Sequence, residues 1–400
     1  AGVMLTVVLY SYIKGSENDI LQTHASMMSG HVDVVTRAYA LEQDQVPNDL
    51  AILGLDALLA ELRREWPDLD WTPRIRFAGL LDVPDENGET MAQGSAVGLA
   101  VDLFGPDSPE PDVLNLDEAL VRGRLPAGSG EILLSDLFAE RLGVGPGEAV
   151  TLIGATMYGS MATANFTVAG TVRFGVSAVD RGALVADLED VQWTLDMADG
   201  AGEVLGFFRD RVYRPDRARA VADGFNAARA GSDDPFTPQM RTLRDHAGLA
   251  ETLDLANAVG AAVVGLFVVI MSIVLWNAGL MGGLRRFGEF GVRLAIGENK
   301  VHLYGTLLVE SLVIALAGSV LGTALGLAAA GYLQTHGMDI SGLMKNSSMM
   351  ISDVLRARVT PVSWFIGFVP GLVATVAGAA ISGLAIFRRR TADLTKELQT

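Results

Sequence analysis

The chain has 400 residues and a formal net charge of −17, yet half of its residues are apolar and its mean hydropathy is +0.33. One soluble domain does not combine these properties, whereas an acidic water-facing part joined to an apolar membrane part does. The acidity excludes nucleic acid as a partner, because nothing would neutralise its phosphates, and the lack of cysteine excludes disulfides, thiolate metal sites and a Cys nucleophile.

Residues 1–14 carry about a dozen apolar residues before Lys14, short of the roughly 20 that a helical span needs. No basic n-region precedes them, so they do not read as a signal peptide. They are expected to be the outer part of a first transmembrane helix whose inner half lies upstream of Ala1.

Residues 15–257 read as an external domain with two stalks. Ile13, Ile20 and Met27 lie at heptad spacing on the outgoing stalk, and Leu249, Leu253 and Ala256 do so on the returning one. Such stripes pack against a neighbouring helix. Between the stalks, Gly30–Thr36 alternates as a strand, and Leu55–Glu65 places Leu58, Leu59 and Leu62 on one helical face. Ile75–Val83 and Ser95–Phe104 are expected strands, and Phe104–Asp112 is a Pro/Asp-rich break. Short strands with glycine turns follow, giving a β-rich insertion over about 105–178. Strand-then-helix patterns follow to Arg229. The first and last parts of the domain are expected to share one sheet around the insertion.

Three long apolar stretches come next, each long enough to span a bilayer. They give transmembrane helices over 258–280, 301–333 and 362–387, which with the N-terminal segment makes four. Between them lie a loop with a short helix over 281–300, an outer loop over 334–361 and a tail over 388–400. The 281–302 segment and the tail each carry a net charge of +2, and residues 16–257 carry 40 Asp and Glu against 18 Arg, a net of −22. Positive segments stay inside. Both termini and the 281–300 loop are therefore expected in the cytoplasm, with the acidic domain outside. The fold class is a membrane α-helical part of four transmembrane helices plus a large extracytoplasmic α/β domain with a β-rich inserted subdomain.

Catalytic signals are sparse. His24, His31, His246, His302 and His336 show no zinc-helix spacing. No G-x-S-x-G elbow and no G-x-x-x-x-G-K-[ST] phosphate loop occurs. No catalytic residue, cofactor or metal ligand is assigned, and nucleotide energy would have to come from another chain.

The 284–297 stretch is more specific. On a helix, Phe287, Phe290 and Leu294 gather on one side and Arg286, Glu289 and Arg293 on another. Glu289 lies three after Arg286 and four before Arg293, so these charges are expected to pair along the helix. Such an amphipathic segment lies on the inner membrane surface or docks into a partner. Farther on, Gly318, Gly322 and Gly326 share one face of the third span, and Gly367 and Gly371 repeat the spacing in the fourth. Small residues at that spacing let helices approach. Glu310 is a carboxylate about 12 Å into the third span from His302, at 1.5 Å per residue. It is expected to hold the inner loop.

"EFGVRLAIGENKVHLYGTLLVES" resembles the signature of the FtsX/MacB-like permeases of ABC transporters, roughly R-x-x-E-x-G-x-x-R-A-x-G followed by a span with Glu-Ser. Arg286, Glu289, Gly291, Arg293, Ala295 and Gly297 match it, as do Glu310 and Ser311, with Leu294 interposed in the usual Arg-Ala pair. Gly123–Gly154 resembles the external domain of that family, and Ser29–Tyr39 is similar to the strand after the first span in lipoprotein-releasing LolC/LolE-type members. The resemblance implies an FtsX-like permease domain over about 258–393 and a MacB-like periplasmic core over 15–257. It implies a multi-pass protein of the bacterial inner membrane. Its partners would be a cytoplasmic ABC ATPase seated on the 284–297 coupling helix, a second permease chain, and a periplasmic carrier or adaptor. The implied function is export or extraction of a lipoprotein or other amphiphile, with mechanotransmission to an extracytoplasmic enzyme as the alternative.

Overall fold

The structure is a computed structural model that describes residues 1–85, 87–176, 178–246, 249–339 and 354–388. Half of the expected outer loop and nearly all of the tail lie outside the described residues. Among those described, the chain forms two compact units, one of 1–19, 252–339 and 354–388, the other of Ile20–Glu251.

The second unit is built on a ten-stranded sheet. Its centre is a long antiparallel hairpin of β3 (Leu69–Pro84) and β4 (Thr90–Val101). Residues 69–74 of β3 pair with β11 (Glu203–Phe208), which pairs with β1 (Val32–Thr36), which pairs with β12 (Pro238–Thr242). The first and last parts of the domain thus interleave in one sheet. Residues 80–82 of β3 pair instead with β7 (Ala149–Ala155). Strands of the expected insertion, β5 (Leu120–Gly123), β6 (Glu131–Ser135) and β8 (Met161–Val172), continue the same sheet rather than forming one of their own. Strand β9 (Ala183–Asp187) joins them to β4 by a parallel pairing.

Three cores lie along this sheet. One packs Leu55, Leu58, Leu59 and Leu62 of α3 (Leu55–Glu65) and Ala218, Val221, Ala222 and Phe225 of α8 (Pro215–Ala227) against β1, β3 and β11. The leucine spacing of α3 dictates that burial. A second gathers Phe77, Leu81, Ile132, Leu134, Phe138 and Leu152, and a third Val101, Leu114, Leu116, Leu133, Val172 and Val185. Helices are started by the residue that ends the preceding strand. Thr36 accepts the Tyr39 N–H at 3.0 Å, Ser135 accepts that of Phe138 at 3.3 Å, and Asp187 that of Glu189 at 3.1 Å. Each satisfies one of the orphan donors at a helix start.

The first unit is helical. Among the described residues, three segments are long and apolar enough to cross a membrane: Leu249–Ala295, Lys300–His336 and Pro361–Gly383, with mean hydropathy 2.8, 2.1 and 1.9. The fourth span expected over 1–14 is not among them. Those residues belong to α1 (Gly2–His24), whose polar second half, from Lys14 to His24, dilutes its hydropathy. The first of the three segments is two helices, α9 (Leu249–Leu284) and α10 (Phe287–Ala295), parted by a turn at Arg285–Arg286. The second is the single helix α11 (Lys300–His336).

Candidate coupling and helix-packing sites

Helix α10 holds the residues expected to meet an ATPase. Its ends follow from chemistry. Gly297 has φ +98°, a conformation that L side chains rarely adopt, and its N–H returns to the Leu294 carbonyl at 3.1 Å. Two residues later the Asn299 side chain accepts the Val301 N–H at 2.8 Å and starts α11. Gly297 and Asn299 together make the sharp corner between the two helices.

The orientation of α10 revises one expectation. Phe287 and Phe290 are only 2% and 3% exposed. They pack with Leu303 and Leu307 of α11 and with Ile386, and Leu294 leans on the same cluster. This apolar side closes the chain's own helix junction and is not available to another protein. The outward side presents Glu289, Val292 and Ala295, and beyond the helix end Ile296 is 81% exposed.

The charges also pair differently from the helical expectation. Arg286 reaches Glu289 at 3.4 Å and, more closely, Glu310 at 2.6 Å. Arg293 does not pair with Glu289; it grips Glu298 with two hydrogen bonds of 2.7 and 2.8 Å. The guanidinium fork prefers that bidentate partner across the Gly297 corner to a single oxygen along the helix. Glu310 thus ties α11 to the turn before α10, and Arg293 ties α10 to the turn after it.

The glycines sit where helices of this unit come close. A Cβ on Gly322 would lie 2.8 Å from Val3 Cβ, and one on Gly326 2.8 Å from Val7 Cβ. Gly367 and Gly371 of the last span both meet Val3, at 2.7 and 2.5 Å from its methyl carbons, and Gly367 also meets a Val7 methyl at 3.2 Å. Gly318, expected on this stripe, faces open space with nothing within 4 Å. The close packing brings α1, α11 and the last span together within one chain.

Several buried ion pairs of the second unit were not singled out from the sequence. Arg74 and Glu110 are both fully buried, joined at 2.7 Å, and Arg74 also donates to the Ser26 carbonyl at 2.7 Å. Asp33 on β1 is held by Arg241 at 2.5 Å and by His246 at 2.9 Å. Burial works to raise its carboxyl, but His246 and Arg241 outweigh burial and hold it below the usual range. Removing one partner of such a pair typically costs about 3–5 kcal/mol. Histidine His31 is neutral, pushed down to about 4 by burial with Arg211 adding to it, and its Nδ1 accepts the Phe208 N–H at 3.0 Å. It is a satisfied core residue. Among the described residues no three His, Asp or Glu gather to hold a metal ion.

Residues 261–390 match the family described as FtsX-like permease C-terminal. The chain carries an FtsX-like permease domain. That domain contains α10, the Arg286–Glu310 tie and the glycine contacts of α11 and the last span. Similar solved structures include two periplasmic or extracellular domains. The periplasmic region of MacB from Actinobacillus actinomycetemcomitans is 13% identical, with a TM-score of 0.38, over 56% of this chain and 94% of that one. The extracellular domain of YknZ, described as a noncanonic ABC-type transporter from Gram-positive bacteria, is 11% identical, with a TM-score of 0.36, over 53% of this chain and 99% of that one. No curated protein matches at a significant level.

Proposed function

We propose that this chain is the membrane permease subunit of an ABC transporter and that a separate cytoplasmic ATPase drives it through α10. The observation that carries the reading is the corner around α10. A nine-residue helix follows the end of α9, and its inner side is locked by Phe287 and Phe290. Ion pairs hold it at both ends, and Val292 and Ile296 remain exposed. A basic anchor would need the arginines alone. A rigid lever with an apolar outer rim suits a partner that pushes on it. The contact residues proposed for the ATPase are therefore Glu289, Val292 and Ile296, with Arg286, Phe287, Phe290, Arg293 and Leu294 supporting them from within the chain.

The reading extends to a multi-pass protein of a bacterial inner membrane, its acidic unit in the periplasm, working with a second permease chain. Export or extraction of a lipoprotein or other amphiphile rests on the sequence resemblance, as does a periplasmic carrier or adaptor. The test is enzymatic. The purified chain in lipid nanodiscs is expected to hydrolyse no ATP until an ABC ATPase is added; steady turnover by the chain alone would overturn the division of labour.

A further inference from the structure

The last span does not begin as an α-helix. It starts as a 3₁₀ turn at Pro361–Trp364, passes through a π-helical stretch at Val369–Ala374 and becomes α-helical only from Thr375. A π turn inside a helix is rare and collects at functional places. Pro370, buried within it, has no N–H, so the Ile366 carbonyl four residues earlier finds no donor at its usual place.

Helix α11 faces this break with two hydroxyls. A Cβ on Gly371 would lie 2.3 Å from Ser319 Oγ, and one on Gly367 3.3 Å from Thr323 Oγ1. Ser319 is 0% and Thr323 5% exposed, and neither hydroxyl has a hydrogen-bond partner. The other serine and threonine hydroxyls of the same helix bond back to it: Thr306 to the His302 carbonyl at 3.0 Å, Ser311 to that of Leu308 at 2.9 Å, and Thr335 to that of Tyr332 at 3.0 Å. Ser319 and Thr323 are the exceptions, one turn apart, at the point where the facing helix is broken. An unmade buried donor is costly, and alanine and valine would fill the same space without that cost. Donors without acceptors on one helix and a carbonyl deprived of its donor on the other are complementary.

We propose that the last span is a two-state hinge at Pro370, and that Ser319 and Thr323 are the donors that bind its released carbonyls in the second state. In the state described here Gly367 and Gly371 let the helices close, and the hydroxyls wait unpaired. When the segment before Pro370 swings, the hydroxyls gain carbonyl partners, which offsets the close packing given up. The two packings are then near in free energy, as a switching element requires.

The chain has no cysteine, so paired spin labels can be placed without background. The pair is Trp364→Cys and Leu321→Cys, both exposed side chains, in the full chain in lipid nanodiscs. Pulsed electron resonance is expected to show two distance populations, and adding Pro370→Ala should leave one. A single population that Pro370→Ala does not alter would overturn the hinge. Shape-conserving Ser319→Ala and Thr323→Val should also remove the second population while leaving the melting temperature unchanged or higher. A fall of about 4 °C or more in either variant would mean that the hydroxyls are bonded in the resting state, and would overturn their role.

Discussion

Phe290 illustrates how burial decides a residue's role. Its type and spacing mark an anchor, but the structure puts that anchor inside the chain, against Leu303, Leu307 and Ile386. Phe290→Ala should therefore lower the stability of the helix junction by about 3 kcal/mol, the scale of a large-to-small core change, as read by thermal unfolding in nanodiscs. An unchanged melting point would place Phe290 outside the core. His31 makes a second residue-scale prediction. Its folded pKa, about 4, lies below the ordinary 6.5, so between these values the unfolded chain binds the extra proton. Stability attributable to His31 is present above pH 6.5 and is lost as pH falls toward 4, by about 1.4 kcal/mol per unit. Melting temperature measured from pH 7 to pH 4 should fall, and less steeply in His31→Gln. Equal slopes would show that His31 is not the group responsible.

Elements were legible where periodicity and local chemistry agree. The leucines of α3 mark its span from Leu55 to Glu65, and no tertiary contact had to override them. Helix α10 was legible as a helix, yet its facing was not, because amphipathicity reveals an apolar side without naming what covers it. The Arg74–Glu110 pair was invisible for a related reason: 36 residues separate the two, and only the β3 and α4 (Glu110–Val113) placement joins them. The glycine stripe was legible as spacing, and the structure divides it. Gly326→Ile should clash with Val7 and displace α1, whereas Gly318→Ile meets open space. Limited proteolysis around residues 14–30 is expected to accelerate in the first variant and stay at the wild-type rate in the second. Equal behaviour of the two would remove the case that α1 is seated on Gly322 and Gly326.

At the scale of the whole molecule, composition distinguishes an acidic part from an apolar one, and among the described residues the chain forms two compact units that divide after Asp19 and after Glu251. The sheet that binds early and late strands together could not be read in detail, since register depends on partners distant in the chain. The central claim is that α10 passes force from a separate ATPase through its outer rim while Phe287 and Phe290 keep it rigid. The most direct measurement is affinity between the full chain in nanodiscs and an added ABC ATPase, comparing Ile296→Asp with the wild type. Interface anchors are worth about 2 kcal/mol, so binding should weaken roughly thirtyfold, with the melting temperature unchanged because Ile296 supports nothing inside the chain. Wild-type affinity in Ile296→Asp would contradict the account.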